Sequence, residues 1–176
     1  ALPPSPLRAD EPTELLTVPM SRLKIHPFNS RAVRTQERIE EVCDMLKAST
    51  QREPITIVPG RTAEDIGYFY ILSGQTRFHA ANLAGWTEMK AQINNTIDPA
   101  DNLAFFAASI EHNASEKETD YDLAIRVREL VNAGTDTKEI QKAIRQTERG
   151  LRRLLSIAAL PEPINQIIKE NPVKLT

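Results

Sequence analysis

The apolar pattern of this chain changes character once, near residue 95, and that change decides the fold class. Before it, short alternating segments are interleaved with helical ones. Leu15, Leu16 and Val18 open a strand leading to Leu23 and Ile25; Ile55, Ile57 and Val58 form another, Tyr68 to Leu72 a third, and Met89, Ala91 and Ile93 a fourth. Ile39, Val42, Cys43 and Leu46 recur at helical spacing behind Thr35, a residue suited to cap a helix, and Arg77 to Ala84 has helical composition up to Gly85. From Pro99 onward every apolar stripe is helical: Leu103, Phe106, Ala107 and Ile110, then Leu123, Val127, Leu130 and Val131 up to Gly134. Strands mixed with helices followed by helices alone predict an α+β domain over residues 15–98 and an all-α domain over 99–176.

The first 14 residues hold four prolines and no apolar core segment, so they are expected as a disordered leader and not as a signal peptide. The chain opens on Ala1 instead of methionine, as expected of a piece of a longer protein. A single cysteine forms no internal disulfide, and Cys43 on the buried helical face is expected as a core residue. No apolar stretch is long enough to span a bilayer. A cytoplasmic protein is the expectation.

The charge is uneven. The whole chain carries −2, yet residues 123–160 hold eight basic and four acidic residues, a local +4. Within that stretch Ile140, Ala143 and Ile144 make the face of a short helix beginning near Thr137, and Leu151, Leu154, Leu155 and Ala158 make the next. Only Arg145 and Gln146 lie between Ile144 and Thr147, and Thr147 can cap the second helix. This is the spacing of a helix-turn-helix, over about 137–159, whose second helix enters the major groove of duplex DNA. Its expected DNA contacts are Lys138, Lys142, Gln146, Thr147, Glu148, Arg149, Arg152 and Arg153. A solvated helical bundle explains the same arginines without DNA. A turn residue here is commonly glycine, so Arg145 has to take up the turn conformation itself.

A second motif is the run Ser73-Gly74-Gln75-Thr76-Arg77 between a strand and a helix. Glycine lets backbone approach a ligand, the first helical amides attract an anion, and Arg77 brings a permanent charge suited to phosphate.

The run from Gly74 to Trp86 resembles the Gly-Glu-Arg-Arg-x-Arg-Ala-Ala-x-x-Ala-Gly segment of ParB partition proteins. His26-Pro27-Phe28-Asn29-Ser30-Arg31 is similar to that family's Asn-Pro-x-Gln-Pro-Arg loop, Glu111-His112-Asn113 stands at its Glu-Asn-x-x-Arg motif, and Leu160-Pro161-Glu162-Pro163-Ile164 matches Leu-Pro-Glu-x-Ile. The motifs fall in the family's order from about Leu15 onward. The resemblance implies a ParB/sulfiredoxin-like α+β domain binding cytidine triphosphate (CTP) with Mg2+, followed by the helix-turn-helix. It implies a palindromic centromere-like DNA site, a homodimer closing as a clamp, a ParA-type ATPase partner, and association with a nucleoid or plasmid. Carried over by position, the nucleotide site is Arg31, Gly74, Gln75, Thr76, Arg77, Phe78, His79, Ala80, Glu111, His112 and Asn113. Glu111 and Gln75 take the catalytic positions, and Glu111 and Asn113 the metal positions.

The departures concern charge. The family's glutamate is Gln75, its following arginine Thr76 and its later arginine His79; the asparagine aligns with His112 and the last arginine with Ser115. Gln75 serves neither as general base nor as anionic metal ligand, so a weak CTPase or none is expected. The pattern fits a divergent plasmid or mobile-element member. Other readings are a ParB-fold transcriptional repressor, an adaptor without nucleotide binding, and a ParB-like nuclease, which has no motif of its own. A sulfiredoxin-like enzyme needs cysteine where Gln75-Thr76 stand, and that reading fails.

Overall fold

The computed structural model describes residues 15–29, 35–113 and 119–170, with the backbone alone at Glu162 and at Ile168, Lys169 and Glu170. The expected leader, Arg31 and Ser115 lie outside the described residues. Five strands form one mixed sheet: β1 (Leu15–Pro19), β2 (Leu23–Ile25), β3 (Ile55–Pro59), β4 (Phe69–Ser73) and β5 (Glu88–Ile93), in the order β1-β5-β3-β4-β2. β1 runs antiparallel to β5 and β3 antiparallel to β4, while β3 with β5 and β2 with β4 are parallel.

Successive strand residues face opposite sides, and the core divides accordingly. Ile57, Ile71 and Met89 point toward α1 (Gln36–Ala48) and α2 (Gln75–Leu83), where Cys43 and Leu46 join them. Val58 and Leu72, next in sequence, meet Phe105 on the other side. Phe105 belongs to α3 (Asn102–His112), and its neighbour Phe106 turns into a separate helical core with Tyr121, Val127, Leu130, Ile140, Leu151 and Leu154. Both rings are fully buried. α3 is therefore buried on two sides, one toward the sheet and one toward the remaining helices. A single stripe through Leu103, Phe106, Ala107 and Ile110 describes only the second side, which is why the sequence pattern missed Phe105.

The helices that follow are α4 (Asp120–Asn132), α5 (Thr137–Ala143), α6 (Glu148–Ala158) and α7 (Glu162–Glu170). Their starts are written in capping residues. Thr119 and Asp122 cap each other's backbone at α4, Asp136 accepts from the amides of Lys138 and Glu139 at α5, and Thr147 accepts from Gly150 at α6. Thr35 caps α1 through the Arg38 amide, as its position predicted. Helix α2 begins at Gln75, two residues before the start expected from composition, because Gly74 turns the chain at once into the helix. Among the described residues no helix is long and apolar enough to cross a membrane.

Candidate functional site

The turn from β4 into α2 is built around Gly74. Its backbone is left-handed, φ 98°, and a Cβ there would lie 2.5 Å from Cγ2 of fully buried Ile55. Only glycine meets both conditions. The Gly74 carbonyl accepts the Phe78 amide, and no side chain caps α2, so the positive end of the helix dipole is left to whatever approaches. Gln75 and His79 are half-buried, Thr76 and Ala80 buried. The Phe78 and His79 rings stand 5.6 Å apart. Arg77 reaches across to the entry of β3, where Nη1 donates to the carbonyls of Glu53 (2.7 Å) and Pro54 (3.1 Å).

Polar side chains from two other elements meet at the end of β4. Ser73 Oγ donates to Asn113 Oδ1 at 3.3 Å, and Asn113 Nδ2 donates to the carbonyls of Leu72 (3.3 Å) and Ser109 (2.7 Å). Asn29 Nδ2 reaches the carbonyls of Ile71 (2.8 Å) and Leu72 (3.3 Å) from the other side. Two amides thus hold one strand end, and Asn29 ties its own loop to that point. The loop's composition predicted a turn; that Asn29 is buried depends on carbonyls more than forty residues away, which no local pattern announces.

His26 completes this corner. It is 4% exposed, its ring lies 3.8 Å from Phe105 in a stack, and Tyr70 meets its edge at 5.2 Å. Nδ1 accepts from the Phe28 amide, so Nε2 carries the proton and donates to the Pro99 carbonyl at 2.8 Å. Burial pushes its pKa below the ordinary 6.5, only partly opposed by the Pro99 carbonyl. The unfolded chain therefore takes up a proton more readily than the folded one. Stability is complete above about pH 6.5 and declines as pH falls from there toward the folded value, with a slope of at most about 1.4 kcal/mol per pH unit. Urea unfolding at pH 7.5 and 5.5 checks this, and His26→Asn is expected to flatten the difference; a wild-type slope unchanged in that variant assigns the effect elsewhere.

Of the residues matched to nucleotide and metal positions, Gly74–Ala80 and Asn113 come together around the end of β4. Glu111 makes its contact elsewhere. It is exposed on the last turn of α3 and pairs with Arg145 at 3.1 Å, while His112 beside it is exposed. Among the described residues no group of three His, Cys, Asp or Glu side chains is placed to hold a metal.

The basic residues gather at the α5–α6 connection, residues 144–147. Arg145 has φ 53°, the one positive value outside glycine among the described residues, so it does adopt the turn conformation. Lys138 and Lys142 are exposed on α5; Gln146, Thr147, Glu148, Arg149, Arg152 and Arg153 are exposed on the turn and α6. Leu151, Leu154 and Ile157 hold the inner face of α6 in the core, and Arg128 of α4 donates to the Ala158 carbonyl at its end. Three of the arginines meet carboxylates: Arg145 with Glu111, Arg152 with Glu148, and Arg153 with Asp120 of α4 at 2.8 Å. These pairs are exposed and each adds at most about 1 kcal/mol.

Residues 8–111 match the ParB N-terminal domain family. A nucleoid occlusion protein of Geobacillus sp. (strain WCH70) is 24% identical over 163 residues, 92% of this chain and 56% of that protein. A probable chromosome-partitioning protein ParB of Neisseria meningitidis is 22% identical over 162 residues, 92% and 54% of the two chains. The chain spans about half the length of the curated relatives it matches. Two crystal structures of C-terminally truncated chromosome-partitioning protein ParB from Caulobacter crescentus are 18% identical to it. The complex with CTP-γ-S superposes with TM-score 0.51 over 92% of this chain and 88% of that one. The complex with the centromeric parS site superposes with TM-score 0.50 over 90% and 79%. At this identity the likeness is one of fold.

Proposed function

The chain belongs to the ParB family, and from that premise we propose that it is a partition protein that reads a palindromic, centromere-like duplex site through α5 and α6 and holds CTP at the Gly74 turn. The observation that carries the DNA reading is the α5–α6 geometry. A left-handed residue at Arg145 and a threonine cap at Thr147 turn the chain from α5 into α6 across residues 144–147, with a basic face of α6 outward and an apolar face in the core. That is what a helix-turn-helix needs in order to lay its second helix in a major groove. Phosphate contacts from Lys138, Lys142, Arg145, Arg152 and Arg153 would position it. A palindromic site calls for a homodimer, and the family membership supports a ParA-type ATPase as partner and a place on a nucleoid or plasmid.

The Gly74 turn suits a triphosphate. α2 carries no side-chain cap, and Gly74 and the first helical amides offer donors where an anion would sit. The protein offers Mg2+ little by itself, since Asn113 is bonded to Ser73 and Leu72 and Glu111 to Arg145, so the ion would be held mainly through the phosphates. Bound CTP would be hydrolysed slowly or not at all, because Gln75 has no basic oxygen to activate water. Phosphate release assays should show negligible turnover, rising in Gln75→Glu; robust turnover untouched by Glu111→Gln contradicts the assignment.

Calorimetric titration with CTP and Mg2+ tests the nucleotide site. Saturable CTP binding is expected, lost in Arg77→Ala, which also gives up two hydrogen bonds to the segment entering β3 and about 1–3 kcal/mol of stability. Absence of binding by any nucleoside triphosphate at millimolar concentration replaces this reading with a ParB-fold repressor or adaptor. One observation favours that second reading: the Arg77 and Glu111 charges are already engaged with the protein itself.

A further inference from the structure

Gly150 occupies the first turn of α6, where glycine is disfavoured relative to alanine. The space above its Cα is taken by a neighbouring side chain: a Cβ there would stand 2.5 Å from Gln146 Oε1, 3.5 Å from Gln146 Cδ and 3.4 Å from Thr147 Oγ1. The Gln146 amide thus points its oxygen at the first turn of α6. Arg149 projects from the adjacent outward side, opposite the buried Leu151, Leu154 and Ala158.

Within the turn and α6, ion pairing separates these two side chains from the neighbouring arginines. Arg145, Arg152 and Arg153 each meet a carboxylate. Among the described residues, Gln146 and Arg149 make no side-chain hydrogen bond or ion pair. An amide presents one donor and one acceptor in the arrangement that matches N6 and N7 of adenine, and a guanidinium presents two donors matching O6 and N7 of guanine.

We propose that Gln146 and Arg149 are the two base-reading side chains of this protein, Gln146 for an adenine and Arg149 for a guanine in neighbouring base pairs of each half-site, and that Gly150 is the residue that seats Gln146. This rests on the DNA-reading function proposed above. Gly150 acts as a positioning residue: it touches no base and works through the amide it makes room for.

The test is selection of bound duplexes from a random-sequence library by the full chain and by three variants. The wild type is expected to enrich a motif containing the adenine and the guanine. Gln146→Ala should lose preference at the adenine pair alone, discrimination there falling roughly 5- to 150-fold. Arg149→Ala should lose the guanine pair alone. Gly150→Ala should flatten the same adenine position as Gln146→Ala and keep the guanine, with a thermal midpoint no lower than wild type, since alanine favours the helix and only the end of a flexible side chain has to move. A Gly150→Ala variant retaining full preference at the position lost in Gln146→Ala overturns the role of Gly150. A motif with no adenine at the position that Gln146→Ala relaxes overturns the base assignment. A wild type that enriches no sequence overturns the DNA-reading function itself, an outcome distinct from the other two.

Discussion

Replacing Arg149 and Arg153 together with alanine is expected to abolish specific duplex binding by a chain that stays folded. Both side chains project from the outward side of α6, and neither contributes to the core formed by Leu151, Leu154 and Ile157. Arg153 gives up its pair with Asp120, but that pair is half exposed and holds at most about 1 kcal/mol, so the helical region survives. A lost base or phosphate contact costs about 1–3 kcal/mol, so the two together weaken binding by roughly 30-fold to 20,000-fold. Fluorescence anisotropy on a selected duplex reads the affinity, and circular dichroism reads the fold. Unchanged affinity in the double variant removes α6 from the interface.

Gly74→Ala is expected to damage both the fold and the proposed nucleotide site. A left-handed backbone costs an L-residue roughly 1–2 kcal/mol, and forcing a methyl against fully buried Ile55 adds about 1–3 kcal/mol. A loss of about 2–5 kcal/mol is a large part of the 5–15 kcal/mol that holds a typical domain together. Gly85→Ala is the comparison: its φ is 76°, yet nothing lies within 4 Å of the added methyl, so it bears only the backbone cost. Urea unfolding of the two variants separates the contributions. Equal losses show that contact with Ile55 contributes nothing. In surviving Gly74→Ala protein, CTP binding should be lost, because the first turn of α2 has to move to relieve the contact.

The sequence carried the strands and helices because most of them bury one face. Alternation marked Ile57 and Ile71 in the sheet, and helical spacing marked Leu151 and Leu154. Legibility failed where burial is two-sided or where partners are distant in sequence. Phe105 escaped because α3 is covered on two faces, and the buried roles of His26 and Asn29 depend on Pro99, Ile71 and Leu72. At the site, the Gly74 turn and the tight α5–α6 connection were readable because backbone demands select residue types locally. Glu111 was assigned to nucleotide chemistry by its place in a motif, yet here its carboxylate meets Arg145, a pairing across 34 positions that spacing does not reveal. Arg77 had the expected position, but its reach to the carbonyls of Glu53 and Pro54 follows from the packing of α2 against β3.

The charge on α6 attracts DNA whether or not the helix reads bases, and salt separates the two. A solvated basic face attracts any duplex through counterion release, and that attraction fades steeply with salt. A reading helix adds preference that survives salt, because base contacts carry sequence information and phosphate contacts do not. Competition binding at about 150 mM salt, with a selected duplex against a scrambled one of equal length, isolates that difference. The selected duplex is expected to win by at least 1,000-fold, the lower end of the range for specific over non-specific binding. Equal competition by the scrambled duplex would contradict a base-reading α6.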